Sequence, residues 1–121
     1  MKKGIFKIIR NGEFQASQPT DNQCAEEGHA RYFYELKLAF DGGAQLDQNG
    51  FLIDTREIDQ LIQATPLAGS CEQMHLRLQR LFCERLGASL IAYKMSIKPV
   101  RDAKGWIDFG FASDPVLLNC F

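Results

Sequence analysis

Between Cys24 and Arg31 the chain sets a thiol, two carboxylates, an imidazole and a guanidinium (Cys24, Glu26, Glu27, His29, Arg31) within eight residues. A thiol becomes a nucleophile or proton carrier once a neighbouring cation lowers its pKa, and Arg31 or His29 is near enough in sequence to do so. Without that help Cys24 is an unreactive loop thiol. His29 offers a metal ligand or an acid/base group, or else a surface residue. Arg31 can grip a ligand carboxylate or phosphate with two parallel hydrogen bonds, or simply pair with Glu26 or Glu27. A second group follows at Cys71, Glu72 and His75. A thiol at a helix N-terminus is made more acidic, and a carboxylate there favours the macrodipole or accepts hydrogen bonds from an N–H-rich ligand. His75 interrupts no apolar position and is expected to face solvent. A metal site from Cys24, His29 and His75 has no short-spacing motif behind it.

The elements that must hold these groups follow from periodicity. Tyr32, Tyr34, Leu36, Leu38 and Phe40 alternate with Phe33, Glu35, Lys37 and Ala39, which predicts a half-buried strand over Arg31–Phe40, with the reactive loop at its mouth. Gly4–Arg10 alternates Phe6 and Ile8 against Ile5, Lys7 and Ile9 and reads as another strand. Asn11-Gly12 then implies a tight hairpin, or a bulge in one long strand resuming at Glu13–Ser17. Gln18–Glu27 is a polar loop, and Asp41–Gly43 and Asp47–Gly50 are turns.

From Phe51 to Thr65 the period lengthens. Ile58, Leu61 and Ile62 share a helical face, Asp54 is the expected N-cap, and Glu57 is placed to close a capping box. Pro66–Gly69 ends that helix. Ser70 with Gln73 caps the next, whose stripe is Met74, Leu78, Leu81, Phe82 and Leu86 and whose end is Gly87. Ser89–Lys98 and Trp106–Ser113 are strands joined by a turn at Arg101–Gly105, and the tail Asp114–Phe121 is apolar. The order ββααββ implies an α+β sandwich: a four-stranded antiparallel sheet with two helices packed on one face. Such a sheet leaves two edges and one bare face. If Phe33, Phe6 and the tail lie there, association through the edges would cover them.

With 121 residues, 45% of them hydrophobic, the chain suits one domain over 1–121, burying roughly two thirds of its unfolded surface. Fourteen basic and fifteen acidic residues give a net charge of -1, and no Lys/Arg run exceeds two. Nucleic acid is therefore not an expected partner. The apolar run before Asn11 is too short for a signal peptide core or a membrane span, so a soluble, cytoplasmic protein without membrane contact is expected. Four scattered cysteines with no CxxC are expected to stay reduced.

The element order and four local motifs resemble the tunnelling-fold superfamily, and within it the 6-pyruvoyl- and 6-carboxytetrahydropterin synthases. Phe14-Gln15-Ala16-Ser17-Gln18 is similar to that family's F-x-A-[SA]-H, and Cys24 followed by His29-Ala30-Arg31-Tyr32-Phe33 to its cysteine and H-G-H-x-[YF]. Gly50-Phe51-Leu52-Ile53-Asp54 with Ile58 and Leu61 resembles G-[MF]-[VL]-x-D-x(3,4)-L, and Ser70-Cys71-Glu72-Gln73 resembles P-T-x-E-N. Together they span nearly the whole chain. The resemblance implies a ring oligomer, most simply a hexamer, with a site between subunits near Gln18, Cys24, His29, Arg31 and Glu72 that takes a pterin-like or purine-like heterocycle.

The departures bear on chemistry. The family binds zinc through three histidines, the geometry of a catalytic zinc with one open position, and those positions here are Gln18, His29 and Arg31. A guanidinium is permanently cationic and has no lone pair to give, so family-style zinc is disfavoured and no cofactor is expected. The link between the helices is short, and no counterpart of the family's aspartate-histidine segment can be placed in it. The third strand has no counterpart of its pterin-anchoring glutamate. The resemblance thus implies a lyase-like protein with altered or lost zinc dependence, or a non-catalytic relative used in assembly or partner binding.

Overall fold

The computed structural model describes residues 4–17, 29–44, 46–101 and 105–114, residue 29 by its backbone alone. Its elements are β1 (Ile5–Ser17), β2 (His29–Asp41), α1 (Thr55–Ala64), α2 (Cys71–Leu86), β3 (Leu90–Pro99) and β4 (Ile107–Ala112). The four strands form one antiparallel sheet in the order β1-β2-β3-β4. This is the α+β architecture expected from the element order.

Both helices lie on the face built by the alternating hydrophobes of β2. Tyr32, Tyr34, Leu36, Leu38 and Phe40 are buried there, beside Phe14 and Ala16 of β1 and Tyr93, Met95 and Ile97 of β3. The helices close this face with Ile58 and Ile62 of α1 and Met74, Leu78 and Phe82 of α2. An aromatic column runs through the core: Tyr93 stacks on Phe111 at 5.3 Å and meets Phe109 edge-on and Phe82 at a tilt. No described residue covers the opposite face. It exposes Ile9 and Phe33 among Lys37, Lys94, Ser96 and Lys98, and Lys98 sits 5.7 Å from the centre of the exposed Trp106 ring.

Several local expectations change. Asn11-Gly12 makes neither hairpin nor bulge, because β1 runs through it in unbroken register with β2. The glycine is there for its neighbour: Gly12 stands opposite Tyr34, and a Cβ on it would fall 2.7 Å from Tyr34 Cε1. The freed ring reaches over to donate a 2.8 Å hydrogen bond to Asp59 of α1. Burial and this carboxylate together push the Tyr34 phenol pKa far above its ordinary value. Phe6 lies on the helix side, in register with the buried Phe40, and is nonetheless exposed.

The helix signals hold with one exception. Asp54 caps α1 through the Arg56 N–H, and Ser70 and Gln73 form a complete capping box on α2. Glu57 instead reaches across to Arg85 of α2 at 2.6 Å. A charged partner on the neighbouring helix outcompetes its own N-cap backbone. Gly87 ends α2 with φ of 64°, as its place in the sequence implies. Among the described residues no helix is long and apolar enough to cross a membrane, and Cys71 and Cys83 are half-buried thiols outside any disulfide. Most of the apolar tail, Cys24 and Cys120 lie outside the described residues.

Candidate functional site

Three pieces of chain converge at one end of the sheet. Ser17, the last residue of β1, stands opposite His29, the first of β2. The link from α1 to α2 closes on the same point: Ser17 N–H donates to Leu67 C=O at 2.9 Å, and Ser17 and Ala68 form a parallel bridge. Four residues earlier, Gln63 of α1 donates to the Glu13 carbonyl at 2.5 Å. Between these two ties β1 and the link flank an open groove of about 390 Å³. The link turns into α2 at Gly69, whose φ of 90° suits glycine and where a Cβ would collide with the Gln73 amide of the capping box. Cys71 and Glu72 follow directly in the first turn of α2, on the helix side of the sheet, and α2 itself packs on β3 and β4.

Arg31 projects from β2 onto the face opposite the helices, where its guanidinium donates to the Glu13 carboxylate at 2.9 Å. The acid it meets is thus Glu13 of β1, reached diagonally across the strand pair. That carboxylate holds the Arg31 proton above its already high ordinary pKa. Glu72 is exposed in the first turn of α2, and among the described residues no hydrogen bond or ion pair joins it to Arg31. Gln18 and Cys24 lie outside the described residues, as does the His29 side chain.

His75 overturns an expectation. It is 1% exposed, stacked on Phe109 at 5.9 Å, with Nε2 donating to the Ile107 carbonyl at 2.7 Å. That bond fixes the Nε2–H tautomer and leaves Nδ1 buried without a partner. Burial lowers its pKa, outweighing the pull of the Ile107 carbonyl, Asp108 and Glu72. A signal was present: His75 is spaced with Cys71, Leu78 and Phe82 at four, three and seven residues, which continues the buried stripe. The helix rotates it inward against β4.

Of the three positions that the resemblance sets against zinc-binding histidines, Gln18 and the His29 side chain lie outside the described residues. Arg31, at the third, is cationic and is engaged by Glu13. Among the described residues no group of three or more His, Cys, Asp or Glu side chains is placed to hold a metal. The face opposite the helices carries a second, shallow groove of about 440 Å³ beside Asn11, Phe33, Ser96 and Lys98. Its carboxylates, Glu13 and Glu35, are already paired with Arg31 and Lys37.

No protein-family model and no curated protein matches the sequence. Among solved structures, the chain is similar to 6-pyruvoyl tetrahydropterin synthase from Plasmodium vivax, with a TM-score of 0.53, 10% identity, and coverage of 90% of this chain and 99% of that one. A form of the same enzyme in which a catalytic glutamate is replaced by cysteine matches to the same degree. Identity this low speaks for the backbone alone, and by its backbone the chain has the tunnelling fold of the 6-pyruvoyltetrahydropterin synthases.

Proposed function

We propose that this chain is a divergent relative of the 6-pyruvoyl- and 6-carboxytetrahydropterin synthases that binds a pterin-like or purine-like heterocycle at a subunit interface without the family's zinc triad. It acts as a cytoplasmic homo-oligomer, a hexamer by resemblance. The observation that carries the reading is Arg31: on a synthase backbone, at a position where the resemblance calls for a neutral imidazole, the chain presents a fixed cation on an exposed face. A cation there excludes a dication and suits an anionic substituent of the ligand. In this reading Glu72 accepts hydrogen bonds from N–H groups of the ligand, and Gln18 and His29 complete the contacts. Any proton transfer falls to Cys24, beside Glu26 and Glu27.

A second reading, a non-catalytic member used in assembly, draws on the Arg31–Glu13 pair, since an arginine already neutralised within its own sheet has less to offer a ligand. One experiment separates them. Saturating pterin or guanosine should raise the melting temperature of the native protein, and Glu72→Gln or Arg31→Ala should abolish the rise, each through loss of about 1.5–3 kcal/mol of charge-assisted hydrogen bonding. A wild-type melting curve unmoved by either ligand rejects the heterocycle reading. Elemental analysis of the same preparation is expected to find well under one zinc per chain. Stoichiometric zinc would refute the assignment of Arg31.

A further inference from the structure

The two ties beside the 390 Å³ groove leave one outward-facing residue of β1 between them, Gln15. In this antiparallel pair the backbone N–H and C=O of a given residue point together, alternately toward β2 and away from it. Three bonds fix which is which. Gly42 N–H donates to Gly4 C=O, so even-numbered residues of β1 face β2. Ser17 N–H donates to Leu67 and Glu13 C=O accepts from Gln63, so odd-numbered residues face outward. The Arg31 carbonyl, opposite Gln15, turns away to accept from Val100 N–H. The Gln15 N–H and C=O therefore both point into the groove, midway between the ties, and no described residue bonds to either. The link does not complete the pairing, and its Pro66 has no N–H to give.

We infer that the backbone of Gln15 is a ligand-reading element, pairing with the lactam edge (adjacent ring N–H and C=O) of a small planar heterocycle lodged between β1 and the α1–α2 link. One donor and one acceptor on a single residue match such an edge as a second strand would. A peptide strand would need a longer row of such groups, and Gln63 and Leu67 close the row on both sides. The volume lies within the range of small-molecule sites. The inference rests on the heterocycle reading above for its ligand class but uses neither Arg31 nor Glu72.

The test uses the full-length native protein with pterin and 3-methylpterin, whose methyl group blocks the lactam N–H. Pterin should shift the Gln15 backbone amide resonance, and 3-methylpterin should bind at least about fivefold more weakly, the worth of one neutral hydrogen bond. Gln15→Pro deletes an N–H that the sheet ladder does not use, which an edge strand tolerates, and should weaken pterin by a similar factor. Should that variant fail to fold, the wild-type amide shift and Ala68→Phe, which fills the groove from the exposed link, decide the matter. Pterin binding with an unmoved Gln15 amide and full affinity in Ala68→Phe would overturn this inference and leave the heterocycle reading standing. Absence of pterin binding to the wild type would remove both.

Discussion

Replacing Gly12 with alanine tests the contact that joins β1, β2 and α1. The new Cβ would lie 2.7, 2.8 and 2.9 Å from Cε1, Oη and Cζ of Tyr34, whereas carbon atoms rest at about 3.5–4.0 Å. The ring must move by roughly 0.8 Å, and it is 3% exposed, with Phe14 packed 6.3 Å away. A shift of that size stretches the 2.8 Å bond to Asp59 beyond hydrogen-bonding range. Overpacking contributes about 1–3 kcal/mol and the lost bond to a carboxylate about 1.5 kcal/mol, the low end because Asp59 is only part-buried and water can replace the phenol. Against this, alanine gains at most about 1 kcal/mol by restricting the unfolded chain. The balance is a loss of about 1.5–3.5 kcal/mol, read from urea denaturation. In a Tyr34→Leu background, which lacks the ring, the same substitution should cost less than about 0.5 kcal/mol. Equal costs in the two backgrounds would refute the claim that the glycine exists to seat the ring.

Other outcomes follow from the same contacts. His75 has a folded-state pKa below its unfolded value, so its contribution is complete above about pH 6.5 and is lost as pH falls toward the depressed value, by up to about 1.4 kcal/mol per pH unit. His75→Gln should flatten the pH dependence of stability below 6.5. Gly69→Ala places a methyl group on the Gln73 amide at a positive φ and should cost about 1–2 kcal/mol by breaking the capping box, seen as a lower melting temperature. Arg85→Ala removes a largely exposed ion pair with Glu57 and should cost under about 1 kcal/mol. Light scattering at micromolar concentration should find an oligomer, since Ile9, Phe33 and Trp106 are exposed and β1 and β4 are edge strands; a monomer would contradict it.

The sequence revealed what local spacing encodes. The alternation of β2 foretold its buried face, and Ser70 with Gln73 foretold its capping box, because each signal lies within a few residues of its partner. It misled where the partner is remote. The glycine at 12 answers to a ring 22 residues away, Glu57 to an arginine 28 residues away, and Arg31 to a glutamate 18 residues away. At the candidate site, the sequence marked side chains such as Arg31 and Glu72. The outward backbone of Gln15 carries no side-chain signature and became visible only once the strand pairing was known.

The connection between α1 and α2 also governs what could be engineered here. As a loop it would accept inserted residues cheaply, each doubling of length adding only about 0.6 kcal/mol of closure entropy. It is not merely a loop, since Leu67 and Ala68 serve as a short outer rung beside Ser17 and hold the first turn of α2 against the end of β1. Grafting the aspartate-histidine segment of the pterin synthases into this link would thus compete with that rung. Installing their catalytic apparatus would require another way of anchoring α2.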